Sequence, residues 1–258
     1  MSVTRTTLPI QSAEWSTDPT HFVHVLSNLL SQAECEEIIR AYTNLVPSNL
    51  TIGTVRAREQ FDDPVLAAKL WSRISHFYKD DRIKDEDGYW WRCKGLNIHM
   101  RLSKYDSGGR FTAHFDHRRM ASLNEQSFMS LNIYLNTVPE ENKGATRILR
   151  HQEDFRVGQH MGLEVLGQVQ PVQGTASVFR ETVRHDGEEL VDGDKYLLRS
   201  DIMYEREGEF DFERICKGLS GIEKANKALN IFYALEEGGN FSEADEWRAT
   251  ATELSFFI

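Results

Sequence analysis

Residues 101–116, RLSKYDSGGRFTAHFD, constrain the fold more than any other stretch of the chain. They read as a strand, a turn relaxed by Ser107, Gly108 and Gly109, and a second strand ending in His114, Phe115 and Asp116. Residues i and i+2 of a strand point to one face, so an imidazole and a carboxylate project together while Phe115 faces away. Two such groups and a further histidine make the 2-His-1-carboxylate set, which leaves coordination positions open on a non-haem iron. A lone HxD tripeptide more often ends a solvated strand, so the decision falls to the rest of the chain.

Upstream and downstream the apolar period is that of strands. Leu96, Ile98, Met100 and Leu102 fall on one face, with Asn97, His99, Arg101, Ser103 and Tyr105 on the other. Residues 128–136 alternate likewise, Met129, Leu131, Ile133 and Leu135 against Ser130, Asn132 and Tyr134. Further strands are expected from Gly144, over residues 171–180 and over residues 195–204, while residues 152–168 read as a loop or insert.

The flanks are helical. Residues 1–20 are polar and aperiodic and read as an arm. Ser31 and Glu34 form a capping box ahead of a stripe of Cys35, Ile38, Ile39, Tyr42 and Leu45. Pro64 opens a second helix whose stripe is Leu66, Leu70, Ile74 and Phe77. After Tyr204, Ile222, Ala225, Leu229 and Phe232 make another stripe; Gly238 and Gly239 end it, and Ser242 is placed to cap a last helix. One domain is predicted: an arm and supporting helices over residues 1–88, a β core over 89–204, and a C-terminal helical layer over 205–258.

Composition narrows the function classes. With 258 residues and a net charge of −10, the chain has no surplus of Lys and Arg for a phosphate track, so no nucleic-acid partner is expected. Cys35, Cys93 and Cys216 are widely spaced and form no CxxC, which argues against a disulfide framework or a thiolate zinc site. No apolar run reaches membrane-spanning length and the N-terminus lacks an apolar signal core, so a cytoplasmic protein without a membrane partner is expected. Oligomeric state is left open.

From about Leu26 to Tyr204 the chain resembles the iron(II)- and 2-oxoglutarate-dependent dioxygenases, in the branch that contains prolyl 4-hydroxylases. LSQAECEEIIR resembles the opening helix of that branch, and KYDSGGRFTAHFD its stretch from tyrosine and glycines to HxD. MSLNIYLN followed by GATRIL resembles its central strand pair, and HDGEELVDGDKYLLRSD its distal-histidine stretch. The resemblance implies a mainly β fold with flanking helices, a double-stranded β-helix or jelly-roll barrel of the cupin kind. It implies that His114, Asp116 and His185 hold Fe(II), with 2-oxoglutarate and dioxygen as cosubstrates and ascorbate as an optional addition. The implied reaction oxidises an unactivated C–H bond while 2-oxoglutarate is decarboxylated to succinate and carbon dioxide. No side chain need act as a general acid there. A structural zinc site would close with a fourth protein ligand, and the sequence offers none.

By the same resemblance, Tyr134 occupies the position of a phenol that meets the distal carboxylate of 2-oxoglutarate, and Tyr105 points toward the metal-side end. Asn132 shares the strand face of Tyr134. Lys195, ten residues after His185 and followed by an aromatic residue, is expected to anchor the distal carboxylate. Arg199 is the runner-up, since a planar guanidinium fork suits a carboxylate better than an ammonium does. Where prolyl hydroxylases carry a tryptophan, this chain has Asp201, with Arg199 on the same strand face. That pair is either an internal salt bridge or a grip on a polar group, so Arg101 and Asp201 are candidates for substrate contact. The substrate is a small molecule or a peptide. The alternative function is a non-catalytic cupin-type protein that binds or senses metal or 2-oxoglutarate; an intact triad with a basic anchor speaks against it.

Overall fold

The computed structural model describes residues 2–10, 12, 15, 20–48, 53–150 and 164–256. Its strands are β1 (Thr4–Thr7), β2 (Val23–Ser27), β3 (Val46–Pro47), β4 (Ala57–Asp62), β5 (Arg82–Lys84), β6 (Trp90–Leu96), β7 (His99–Tyr105) and β8 (Phe111–His114). They continue as β9 (Met120–Ser122), β10 (Glu125–Tyr134), β11 (Thr146–Leu149), β12 (Val165–Val169), β13 (Ala176–Arg180), β14 (His185–Gly187) and β15 (Lys195–Glu207). The helices are α1 (Gln32–Ala41), α2 (Pro64–Tyr78), the short α3 (Phe212–Ile215), α4 (Gly221–Gly238) and α5 (Phe241–Phe256). These elements fall into two compact units. One comprises Met1–Ser75, Leu96–Asp116 and Met129–Asp201; the other comprises His76–Gly95, His117–Phe128 and Ile202–Ile258.

In the first unit a large sheet follows the order β1-β2-β13-β10-β15-β7-β4-β3, and a small one the order β12-β11-β14-β8. Their ladders are antiparallel. The expected double-stranded β-helix is therefore present as two open sheets, neither closed on itself. Three registers position the site: Lys195 lies opposite Tyr105 and Arg199 opposite Arg101, Arg58 lies opposite Ser103 and Gln60 opposite Arg101, and His185 lies opposite His114. Val23, Tyr134, Ile148, Val169, Phe179 and Val183 pack as one core cluster.

Three expectations for this unit are corrected. The arm is not unstructured at its start, because β1 pairs with β2 and Leu8, Ile10 and Trp15 pack against the core cluster. Three irregularly spaced apolar residues after a polar edge strand leave no period to read. The insert ends in β12, which pairs with β11, whereas His151 and His160 lie outside the described residues. Ile98 is 47% exposed. Asn97 breaks the alternation, its N–H donating to the Asp201 carbonyl and its side chain accepting from His99 N–H, so β6 and β7 are separate strands. The helix signals hold: Ser31 and Glu34 cap α1 reciprocally, and the Asp63 carboxylate accepts from Leu66 N–H at the start of α2.

In the second unit Ser220 and Glu223 form the capping box of α4, and Gly239, with φ of 84°, ends it in the left-handed conformation. Ala228, Ile231, Phe232 and Leu235 are its buried residues, whereas Ile222 is 54% exposed in the first turn. The expected stripe is thus rotated, with Phe232 retained as a buried residue and Leu229 packing against the core only partly buried. α5 begins at Phe241, and Asn240 accepts from Glu243 N–H, so Asn240 does the capping expected of Ser242. Met120, Ile231, Phe232, Leu235 and Ala244 form this unit's core cluster, joined by Trp247. Gly238 permits a close approach there, because a Cβ on it would sit 2.0 Å from the Met120 carbonyl oxygen. No helix among the described residues is long and apolar enough to cross a membrane.

Candidate metal centre

His114 closes β8 and His185 opens β14, directly opposite one another in the ladder. Asp116 lies two residues beyond the end of β8, so the shared face survives although the strand does not. One ligand atom from each of the three residues comes within 4.8 Å of the others. His114 Nε2 lies 3.5 Å from Asp116 Oδ1, and His185 Nε2 lies 3.7 Å from Oδ2. This is the one such cluster of metal-ligating side chains among the described residues.

The backbone fixes which nitrogen faces the cluster. His114 Nδ1 is 2.7 Å from the Thr112 carbonyl oxygen, and His185 Nδ1 is 3.0 Å from the Val183 carbonyl oxygen. A carbonyl only accepts, so each Nδ1 carries the proton and each Nε2 presents a lone pair toward Asp116. In both cases the carbonyl belongs to the residue two positions upstream. His114 Nε2 is buried with no hydrogen-bond partner. A buried acceptor left without a donor is costly, and a cation placed between the two rings and the carboxylate resolves it. The donor set fits a divalent metal that favours nitrogen and oxygen ligands.

Charge at the site is arranged accordingly. Burial raises the pKa of Asp116, but the Arg199 guanidinium beside it outweighs that and holds the carboxyl well below the usual range. Burial pushes the His185 ring down to about 4, so it is neutral and available as a ligand. Arg199 pairs with Asp116 Oδ1, donates to Ser130 Oγ at 3.0 Å and meets Asp201 Oδ1 at 3.0 Å. Ser130 in turn donates to Asp116 Oδ2 at 2.6 Å. Both oxygens of the carboxylate are thereby oriented by the protein.

The remaining candidates separate into groups. Lys195 is buried, donates to the Gly144 carbonyl at 2.6 Å, and lies 5.1 Å from the centre of the Tyr105 ring. Burial pushes its ammonium down to about 8. Tyr134 donates to Thr146 Oγ1 at 2.9 Å and lies 3.1 Å from Ser177 Oγ; burial raises its pKa. Asn132 is buried opposite Ser177, on the strand face of Ser130 and Tyr134. Asp201 is engaged in a buried salt bridge with Arg199, which realises the internal-pair alternative. Arg101 sits half-buried opposite Arg199. Sequence reasoning did not single out Ser130, Thr146 or Ser177. Ser130 shares the alternation of Asn132 and Tyr134, the one local signal that marks it.

Residues 100–200 match the sequence model of the 2OG-Fe(II) oxygenase superfamily. No curated protein matches the chain. Among solved structures, the chain is similar to a viral collagen prolyl hydroxylase of Paramecium Bursaria Chlorella virus-1, at 17% identity and a TM-score of 0.47, covering 72% of this chain and 96% of that one. It is similar to a prolyl hydroxylase of Trichoplax adhaerens bound to a peptide fragment of hypoxia inducible factor, at 12% identity and a TM-score of 0.49, covering 76% and 86%. HygX of Streptomyces hygroscopicus, with nickel, 2-oxoglutarate and hygromycin B bound, gives 14% identity and a TM-score of 0.44 over 75% and 87%. The matched segment contains the whole His114, Asp116 and His185 cluster, and it is a 2OG-Fe(II) oxygenase domain. The protein is accordingly an oxidoreductase of the dioxygenase class, one that works with Fe(II), 2-oxoglutarate and dioxygen.

Proposed function

We propose that His114, Asp116 and His185 hold a single Fe(II), and that the chain oxidises an unactivated C–H bond of a small molecule or a peptide while converting 2-oxoglutarate to succinate and carbon dioxide. The observation that carries this is the buried, partnerless Nε2 of His114, aimed with that of His185 at one carboxylate. When bound, the iron supplies the oxidising chemistry. The chain's own residues do the positioning: the Thr112 and Val183 carbonyls set the imidazole tautomers, and Arg199 and Ser130 orient Asp116. In this reading residues 89–204 are the catalytic core and residues 205–258 a helical layer.

Lys195 is the proposed anchor for the distal carboxylate of 2-oxoglutarate. It is a buried cation without a carboxylate partner, whereas Arg199 is taken by Asp116 and Asp201. A charge-assisted bond in such a dry site is among the stronger polar contacts available. Tyr105, beside Lys195, and the hydroxyl group of Tyr134 with Thr146 and Ser177 are proposed to line the same chamber.

The test is to load metal-depleted protein with Fe(II), add 2-oxoglutarate under air, and quantify bound iron and succinate. One iron per chain and succinate that disappears in His185→Ala are expected. Binding of iron and 2-oxoglutarate with no succinate under any substrate pool would instead favour the non-catalytic cupin-type reading.

A further inference from the structure

Arg56 stands apart from the other cations near the site. Its guanidinium lies 3.9 Å from the centre of the Phe111 ring, and Phe111 lies 3.9 Å from the His114 ring, centre to centre. Its Nη1 donates to the Tyr105 hydroxyl at 3.4 Å. Its Nε is buried without a hydrogen-bond partner, and no carboxylate of the described residues pairs with it. An aromatic face and a phenol hold the fork of this half-buried side chain in place, and neither neutralises its charge.

The sheet places further cations beside it. Arg58 lies directly opposite Ser103, and Arg101 directly opposite both Gln60 and Arg199. Directly opposed residues, and residues two apart on a strand, share a face. One face of β4, β7 and β15 therefore carries Arg58, Arg101, Arg199 and Lys195, and Arg199 on that face touches the metal ligand Asp116. On that face Arg199 is neutralised by Asp116 and Asp201, and Lys195 is the proposed cosubstrate anchor, which leaves the Arg56 fork beside it without a carboxylate among the described residues. A neutral substrate gives no reason for this.

We propose that Arg56 binds a carboxylate group of the oxidised substrate, so that the substrate is an organic acid or an acidic peptide. Arg56 is the direct contact, since its fork matches a carboxylate bidentately. The substrate then lies on the Phe111 side of His114, with its carboxylate end fixed and a C–H bond presented to the metal. This rests on the oxygenase reading above.

The experiment uses benzoate and benzamide, which share shape and differ in charge. The full chain is first saturated with Mn(II) and 2-oxoglutarate without oxygen, and their occupancy is measured. Each probe is then titrated by calorimetry into that complex and into the metal-free protein. Benzoate is expected to bind the complex at least tenfold more tightly than benzamide. Arg56→Gln should remove the preference, and Arg56→Lys, which keeps the charge but loses the fork, should leave part of it. Equal affinities for acid and amide, or an undiminished preference in Arg56→Gln, would overturn the clamp. Benzoate binding that vanishes when 2-oxoglutarate is present would overturn it too, by making Arg56 part of the cosubstrate site. Failure of Mn(II) and 2-oxoglutarate to bind sinks the oxygenase reading separately, while the titration of the metal-free protein still decides whether Arg56 selects acids.

Discussion

Two arginines on β15 hold their charge in opposite ways. Arg199 is set among carboxylates, paired with Asp116 and Asp201, and its pKa is raised. Arg206 is set among rings, 4.2 Å from the centres of Tyr89 and Trp91 and 5.0 Å from Phe210, and donates to the Leu123 carbonyl. Burial lowers its pKa, with nearby acids only partly offsetting that. Ion pairing is directional, so Arg199 fixes the orientation of the Asp116 carboxylate. Ring contacts are tolerant of direction, so Arg206 fills and closes a core without aiming anything. The first arrangement belongs to a site and the second to packing.

Breaking the carboxylate side of this contrast should have the largest effect. Asp116→Ala removes the proposed iron ligand and the main partner of a buried guanidinium. Turnover should fall below detection, and unfolding in denaturant should show a loss of about 3–5 kcal/mol, the usual cost of orphaning one half of a buried pair. Succinate release at the parental rate would sink the ligand assignment.

Lys195→Met should raise the apparent KM for 2-oxoglutarate by roughly 30-fold or more, from the loss of a charge-assisted bond worth about 2–3 kcal/mol. Arg199→Met, by contrast, should weaken iron binding while changing that KM little. A rise in KM confined to Arg199→Met would move the anchor to Arg199.

The same lysine predicts a pH dependence. Its ammonium form persists below a pKa of about 8 and is lost above it. A dianionic cosubstrate needs that proton, so its affinity should be level below pH 8 and fall by about tenfold per unit well above it. Titrations of 2-oxoglutarate across this range should show the break in the parent protein and a flat profile in Lys195→Met.

The smallest effect is expected on the ring side. Arg206→Met should cost about 1–2 kcal/mol of stability, as befits a partly desolvated cation–π contact. Bound iron and the KM for 2-oxoglutarate should stay at parental values. A change in either would show that the ring cage also serves the site.

What was legible in the chain was local. Strand alternation put His114 and Asp116 on one side before any partner was known, and it grouped Ser130, Asn132 and Tyr134 on one face. Ser31 and Glu34 announced α1 because a capping box is satisfied within four residues. The proposal of Lys195 as an anchor starts from its spacing from His185 in a resembling family. Short edges were not legible: β1 and β12 gain their stability from the strands beside them rather than from a period of their own.

The pairing of Arg199 with Asp116 and Ser130 joins three separate stretches of sequence, and only the sheet brings them together. The same holds for Arg56, whose meaning depends on Phe111, Tyr105 and the absence of a described carboxylate beside it. Sequence parity fixes which residues share a face of their own strand. Which faces meet, and so which charges find partners, is settled by sheet register and by the folding of one sheet over another, and those are properties of the whole chain.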